Sequence, residues 1–256
     1  MTPQDRLRSI RADLVELRKD LIGTLKDERS RKRGELNRQL HEVTQMLVPQ
    51  YLYSSQAGQD AVVDRLMNHR TGGTFLDIGG YDGVSGSNTL FLEQYRGWTG
   101  VLVEPVPAQF EKASAVRRCQ CLQVAVAPTS GEADFIEVQE GYTQMSGLAQ
   151  SYDEGLLKTV RDDPRHKEQV LKVETRTLSD IMITSGLPDP DFVSLDIEGG
   201  EITALEAFPF AQHDVKIWSI ENNSASKRIP EIMRDNGYEL IEFCGPDDVY
   251  RKRPAG

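Results

Sequence analysis

A short apolar run followed by closely spaced glycines constrains the fold of this chain most strongly. Residues 74–83 read TFLDIGGYDG, so Asp77 stands inside the run and Gly79 and Gly80 end it. Such a run is typical of a buried parallel strand, and glycines allow the tight turn and close ligand approach that follow it. We therefore expect these three residues at the carboxyl edge of a sheet, where folds of this kind bind ligands.

Further apolar runs recur along the chain and alternate with amphipathic segments. Strands are predicted at 74–79, 99–104, 121–127, 191–196, 216–221 and 239–243, and helices at 61–68, 88–95, 110–117 and 229–236. Strands that alternate with helices form a mostly parallel sheet that is covered on both faces. The sequence therefore predicts an α/β, Rossmann-like fold.

The bulk composition argues against several classes of partner. The net charge of -10 argues against a nucleic-acid partner, because phosphate binding needs a basic surface. No apolar run reaches the length of about 18 residues that a transmembrane helix requires. The three cysteines, Cys119, Cys121 and Cys244, are too scattered for a disulfide framework, which fits a cytoplasmic location.

Two acids distinguish between the cofactors that such a fold could bind. The turn runs G-G-x-x-G and contains Asp82, whereas a dinucleotide-binding turn runs G-x-G-x-x-G and faces a pyrophosphate. An acidic loop repels phosphate but suits the cationic amino acid part of S-adenosylmethionine. Glu104 ends the next strand, where a carboxylate can accept both hydrogen bonds of a ribose diol. These features disfavour an NAD-dependent oxidoreductase.

Four segments resemble one known family, the FkbM-type methyltransferases. They are SQAGQD at 55–60, TFLDIGGYDGVSGSNTLFLE at 74–93, GWTGVLVEPVPAQF at 97–110 and FVSLDIEGGE at 192–201. The resemblance covers roughly residues 53–243. It implies a class I methyltransferase fold with a seven-stranded, mostly parallel sheet and S-adenosylmethionine as the donor. It also implies O-methylation of a hydroxyl on a sugar, glycan, glycolipid or secondary metabolite.

The resemblance also implies roles for individual residues of the donor pocket. Tyr81, with Asp77 and Gly79, would shape the methionine pocket, and Gln56 would close it from above. The amides of Ser87 and Asn88, at the start of the next helix, would bind the carboxylate of the donor. The adenine would lie against Ala125 and Val126. The complete predicted donor site is Gln56, Asp77, Gly79, Gly80, Tyr81, Asp82, Ser87, Asn88, Glu104, Ala125, Val126 and Asp196.

The fourth and fifth strands of the predicted sheet end in hard oxygen ligands. Asp196 ends one strand and the pair Glu221 and Asn222 ends the other, so all three are predicted to bind Mg²⁺. The alternative is that they are ordinary loop residues and a turn. Related metal-dependent O-methyltransferases carry Lys or His three positions after the first acid, where this chain has Gly199. Asp196 and Glu198 are therefore the predicted catalytic residues, and Glu201, His166 and His213 are other candidate bases.

Two segments are predicted to lie outside the core of the fold. Residues 1–50 form a helical extension to the methyltransferase domain at 51–256, with an apolar stripe at Leu7, Ile10, Leu14, Leu17 and Leu21. This 3-4 spacing predicts a coiled coil that makes a homo-oligomer, or else a helix that lies on the domain itself. Residues 140–170 are predicted to be a lid over the acceptor, or else a surface connection. A non-catalytic scaffold that recruits partners through the extension is the alternative function.

Overall fold

The computed structural model describes residues 1–152 and 154–254, and it forms an α/β fold. Its helices are α1 (Pro3–Asp27), α2 (Lys32–Leu47), α3 (Gln59–Leu66), α4 (Leu90–Arg96), α5 (Pro107–Val116), α6 (Glu154–Arg161), α7 (Leu178–Thr184), α8 (Glu201–Ala207) and α9 (Arg228–Asp235). Its strands are β1 (Thr74–Ile78), β2 (Thr99–Val103), β3 (Gln120–Leu122), β4 (Ala125–Val126), β5 (Gly131–Glu140), β6 (Gly147–Leu148), β7 (Lys167–Arg176), β8 (Phe192–Leu195), β9 (Ile217–Glu221), β10 (Tyr238–Cys244) and β11 (Asp247–Lys252).

The central sheet has seven strands in the order β10-β11-β9-β8-β1-β2-β3. The five strands from β9 to β3 are parallel, and β11 runs antiparallel to both of its neighbours. This arrangement confirms the predicted mostly parallel sheet of seven strands. The strand order reverses at β1, which places a ligand-binding crevice at its carboxyl end. The strand predicted at 239–243 is present as β10, but it is not the last strand, because β11 follows it and inserts between β9 and β10.

The central strands are buried on both faces, which explains their continuous apolar runs. Along β1, Leu76 and Ile78 face one hydrophobic cluster, whereas Phe75 faces a second cluster together with Trp98. On β8, Val193 joins the first cluster in the same alternating way. Helices cover both faces, so the polar residues that end these strands are held at a rigid edge.

A second sheet of four strands, in the order β4-β7-β5-β6, covers one end of this edge. The long strands β5 and β7 form an antiparallel pair from Gly131 opposite Thr175 to Glu140 opposite Lys167. The predicted strand at 121–127 is therefore two short strands in different sheets. The predicted lid at 140–170 contains β6, α6 and the start of β7, and its residue Asp153 lies outside the described residues.

The two N-terminal helices form a hairpin that is anchored by its second helix. Arg33, at the start of α2, donates two hydrogen bonds to Glu242 of β10, with its Nε 2.6 Å from Oε1. The carbonyl oxygen of Gly34 accepts a hydrogen bond from the Gly245 amide, and a Cβ on Gly34 would lie 2.1 Å from the Gly245 oxygen. The hairpin therefore packs directly on the edge of the central sheet. Within the described part of the chain, no helix is long and apolar enough to span a membrane.

Candidate functional site

The turn after β1 is pressed between the ends of β2 and β8. The amides of Gly79 and Gly80 both donate hydrogen bonds to the carbonyl oxygen of Val103. Gly79 has a φ of 80°, and a Cβ at this position would lie 1.8 Å from the backbone oxygen of Asp196. No other residue fits there, because both the left-handed backbone and the close contact require a missing side chain.

A cavity of about 330 Å³ opens at this turn, on the carboxyl edge of the central sheet. Its volume is in the range of small-molecule sites. Eleven of the twelve residues predicted for the donor pocket line this cavity, and they come from five separate segments of the chain. They are Gln56, Asp77, Gly79, Gly80, Tyr81, Ser87, Asn88, Glu104, Ala125, Val126 and Asp196.

Asp82 is the predicted donor-site residue that does not line this cavity. One of its carboxylate oxygens accepts hydrogen bonds from the amides of Val84 and Ser85, and the other accepts one from the Ser85 hydroxyl. An aspartate that closes its own turn in this way is engaged by local backbone amides. The prediction that Asp82 faces the cationic end of the donor is therefore not supported by this geometry.

Glu104 projects into the cavity with its carboxylate fixed by two backbone amides. Its Oε2 accepts a hydrogen bond from Tyr81 N at 2.9 Å, and its Oε1 accepts one from Val106 N at 2.8 Å. Burial raises the pKa of Glu104 to about 8, although both hydrogen bonds lower it. Each oxygen keeps a lone pair for a further donor, which suits recognition of a vicinal diol.

An apolar wall lines the part of the cavity next to Glu104. Val106, Ala125, Phe135 and Leu148 pack together there, and all four line the cavity. Phe135 and Leu148 belong to the second sheet, which the sequence did not predict. A flat apolar group such as an adenine ring fits between this wall and the polar turn.

Asp77 lies beneath the cavity in a buried charge network. Arg117 is fully buried and lies 3.6 Å from Asp77 and 3.0 Å from Glu93. Burial raises the pKa of Asp77, while the Arg117 charge opposes this shift. Thr89 donates a hydrogen bond to Asp77 and accepts one from Arg117. No sequence pattern indicated a role for Arg117, because its partners lie in other segments of the chain.

The residues after the turn close the cavity from the side. The predicted helix begins later than expected, at Leu90 with Thr89 before it, so Ser87 and Asn88 lie in the preceding loop. Ser87 accepts hydrogen bonds from the amides of Thr89 and Leu90. The Asn88 amide donates to the Ser194 hydroxyl at 2.9 Å. Donor binding by free amides of a helix start at residues 87 and 88 is therefore not supported.

Three carboxylates meet at the end of the cavity nearest β8 and β9. Asp196, Glu198 and Glu221 each offer an oxygen within 4.8 Å of those of the other two. Burial and mutual repulsion raise the pKa of all three, that of Glu198 to about 9. Glu198 also has a left-handed backbone with a φ of 55°, and its buried Oε2 has no hydrogen-bond partner among the described residues. This arrangement of hard oxygen ligands fits a divalent cation.

Asn222 does not join this cluster, although the sequence predicted it as the third ligand. Its Oδ1 accepts a hydrogen bond from the Ser226 amide, and its Nδ2 donates to Asp248 and to the Ser226 carbonyl. Both the oxygen and the nitrogen of the Asn222 side-chain amide are therefore already hydrogen-bonded within the protein. Arg31, in the loop between α1 and α2, donates to Asp248 and to the backbone oxygen of Asn222. The N-terminal hairpin thus holds the segment that carries Glu221.

The other candidate bases are engaged elsewhere. His213 contacts the Ser179 hydroxyl and the Pro188 carbonyl. Pro188 precedes β8, so His213 lies at the amino-terminal edge of the parallel strands, opposite the cavity. His166 pairs with Glu168 at 2.9 Å and does not line the cavity. Glu201 accepts hydrogen bonds from the amides of Ile197 and Gly199, so it shapes the loop that carries Glu198. Both histidines are therefore poorly placed to act as the base.

The family of the chain follows from comparison with known proteins. The family described as the Methyltransferase FkbM domain matches residues 77–240. The chain belongs to this family. The matched range contains the turn after β1, Glu104 and the carboxylate cluster. Comparison with curated protein sequences finds no match.

Solved methyltransferase structures are also similar to this FkbM methyltransferase. The FkbM methyltransferase of Methylobacillus flagellatus KT has 12% identity and a TM-score of 0.47, over 93% of this chain and 58% of that chain. A TehB-like SAM-dependent methyltransferase of Corynebacterium glutamicum has 13% identity and a TM-score of 0.39, over 76% and 88%. Precorrin-6y C5,15-methyltransferase of Geobacter metallireducens GS-15 has 10% identity and a TM-score of 0.42, over 77% and 89%. This chain therefore spans less than two thirds of the Methylobacillus protein.

Glu104→Ala should weaken binding of S-adenosylmethionine by about 1–3 kcal/mol, because the variant loses the two hydrogen bonds that we expect Glu104 to make with the ribose. Isothermal titration calorimetry measures this change directly. Glu111→Ala, on the exposed surface of α5, is the control and should leave the affinity unchanged. An unchanged dissociation constant in the Glu104 variant would show that the ribose binds elsewhere.

Proposed function

We propose that this FkbM methyltransferase is an O-methyltransferase that acts on a hydroxyl of a sugar, glycan, glycolipid or secondary metabolite. The observation that carries the proposal is the cluster of Asp196, Glu198 and Glu221 at one end of the donor cavity. Hydroxyl oxygens are weak nucleophiles, so methylation of a hydroxyl benefits from carboxylates that orient the hydroxyl and accept its proton. The acceptor oxygen forms a bond to the methyl carbon, the carbon–sulfur bond breaks, and the hydroxyl proton leaves.

We further propose that Asp196, Glu198 and Glu221 hold Mg²⁺. Three carboxylates in one largely buried cluster are unfavourable together, and burial and mutual repulsion raise the pKa of all three. A bound magnesium ion would remove the repulsion and supply charge stabilisation for the acceptor oxygen. Asp196 and Glu198 are the residues that we propose to orient the acceptor or to accept its proton.

The remaining residues would act mainly by alignment. Glu104 and the apolar wall hold the adenosyl part of the donor at one end of the cavity, and the carboxylates hold the acceptor at the other. Placing two reactants in line accounts for a large part of the rate enhancement in such transfers. The segment 140–170 would act as the lid. The Thr143 hydroxyl forms a hydrogen bond with the Tyr81 hydroxyl at 2.8 Å, and residues 143–146 line the cavity.

A methyl-transfer screen tests this function. The wild-type protein is incubated with methyl-labelled donor and neutral glycosides, with and without Mg²⁺, and label in the acceptor is measured. Transfer to a hydroxyl supports the proposal, whereas transfer only to nitrogen or carbon acceptors contradicts it. The scaffold alternative predicts no binding of S-adenosylmethionine in calorimetry. The intact donor cavity, with Glu104 and Gly79 in place, disfavours that alternative.

We also propose that the apolar stripe of α1 makes the protein a homo-oligomer. A cytoplasmic location stays a prediction from the sequence. Leu7, Ile10 and Leu17 of α1 are 68%, 52% and 45% exposed, and we propose that a second copy covers them. Deleting residues 1–20 should give monomers that still bind S-adenosylmethionine, since α2 and Arg31 remain. Light scattering checks the mass, and an unchanged number of subunits would contradict the proposal. A deletion to residue 46 is unsuitable, because it removes the ion pair of Asp248.

A further inference from the structure

A second cavity, of about 370 Å³, lies behind the carboxylate cluster. It is lined by the lid helix α6, the start of α8, the loop after β9 and the start of α9. Glu221 and Asn223 line both this cavity and the donor cavity, so the two meet at the metal-ligating edge. A molecule in the second cavity would therefore present its nearest atoms to Glu221.

Besides two acids, the polar side chains that line the second cavity carry hydroxyls and amides. Ser151, Thr159, Asn223 and Ser224 contribute them from both walls. The Thr159 hydroxyl donates to the Gly155 carbonyl at 3.0 Å and keeps its own lone pairs. Such groups both donate and accept, which suits a ligand that carries several hydroxyls. Ile202 and Ile229 supply apolar surface between them.

The charges of this cavity select against one class of acceptor. Its lining includes the acids Glu201 and Glu221, and among the described residues that line it there is no lysine, arginine or histidine. With Glu221 assigned to Mg²⁺, a carboxylated or phosphorylated acceptor would still meet the charge of Glu201, with no cationic side chain among the described lining residues to pair with it. A neutral acceptor meets only hydrogen-bonding groups.

We infer that the second cavity binds the methyl acceptor, and that this acceptor is an uncharged, hydroxyl-rich molecule of the sugar type. The inference rests on the proposed function, because it assumes that a hydroxyl is methylated at the carboxylate cluster. Binding and transfer are measured separately, so that a failure of one is distinguished from a failure of the other.

The test blocks the cavity without touching the catalytic groups. Thr159→Phe fills it from α6, and Ser224→Phe fills it from the opposite wall. Lys158→Phe is the matched control, because Lys158 is the neighbouring residue on α6, is exposed and does not line the cavity. Calorimetry with S-adenosylhomocysteine confirms that all three variants keep the donor site.

The probes are neutral methyl glycosides and the corresponding uronates, observed by saturation-transfer NMR on protein saturated with S-adenosylhomocysteine. Neutral glycosides should bind the wild type and the Lys158 control, and should bind at least about tenfold more weakly to the two cavity variants. Wild-type affinity in both cavity variants would overturn the location. Stronger binding of the uronates, or no binding of neutral glycosides to the wild type, would overturn the acceptor class.

Labelled methyl transfer to the bound glycosides then tests the proposed function by itself. Binding that is lost in the cavity variants, without transfer in the wild type, would support the binding site and contradict O-methylation of that class. Transfer that persists in the cavity variants would support O-methylation and overturn the inferred site.

Discussion

Arg117→Met should destabilise the folded chain by about 3–5 kcal/mol, since the change leaves two buried carboxylates without their counter-charge. Arg117 is wholly buried, and its guanidinium lies 3.6 Å from Asp77 and 3.0 Å from Glu93. Methionine keeps much of the side-chain volume, so the expected loss is electrostatic. Urea unfolding monitored by circular dichroism gives the free energy of unfolding.

Arg118→Met is the matched control for this prediction. Arg118 is the next residue and is exposed, and it donates one hydrogen bond to the Glu93 carbonyl, so its replacement should lower the free energy of unfolding by no more than about 1 kcal/mol. Equal unfolding midpoints for the two variants would contradict the role of Arg117 as the counter-charge of Asp77 and Glu93. If Arg117→Met fails to fold when expressed and Arg118→Met folds normally, the prediction is also met.

Removal of the proposed Mg²⁺ with excess EDTA should lower turnover by roughly a thousandfold, or about 4 kcal/mol, while leaving donor binding nearly unchanged. The difference arises because Glu104 and the turn after β1 would hold the donor, whereas the carboxylate cluster would hold the ion. Asp196→Asn and Glu221→Gln should reproduce the effect. Turnover is measured with labelled donor, and donor affinity by calorimetry.

Glu206→Gln is the control for the metal prediction. Glu206 lies on the exposed side of α8 and pairs with Arg228 at 2.8 Å, so its loss should leave turnover unchanged. Re-addition of Mg²⁺ should restore the activity of the EDTA-treated wild type but not that of Asp196→Asn. Full turnover in excess EDTA would refute a metal requirement and leave Glu198 as the candidate base.

The central sheet was predictable from the sequence because its strands are buried on both faces. Phe75, Leu76 and Ile78 all enter hydrophobic clusters, so β1 appears as a continuous apolar run. The long strands β5 and β7 carry many charged residues, and they are stabilised by pairing with each other across a large sequence separation. Strand β11 of the central sheet was also missed, because it begins with two charged residues, Asp247 and Asp248. A pattern based on apolar periodicity does not detect such strands.

The lining of the candidate donor cavity was largely predictable from the sequence, but the directions of its side chains were not. Gly79 and Glu104 follow from the local chemistry of a turn and a strand end, and both line the cavity. Whether Asp82 or Asn222 faces the ligand depends on nearby backbone amides that compete for their oxygens. Burial of Arg117 depends on Asp77, Glu93 and Thr89, which only the folded chain brings together.

The contact between Arg31 and Asp248 joins residues 217 positions apart in the chain. During synthesis, the N-terminal hairpin emerges first, yet its docking surface on β10 and β11 is the last part of the fold to leave the ribosome. Closing so long a loop costs conformational entropy that is recovered only when the final strands are in place. The end of β9 at Glu221 and the loop that follows it are therefore fixed late, and nascent chains that lack the last strands should leave this loop without its contact to Arg31.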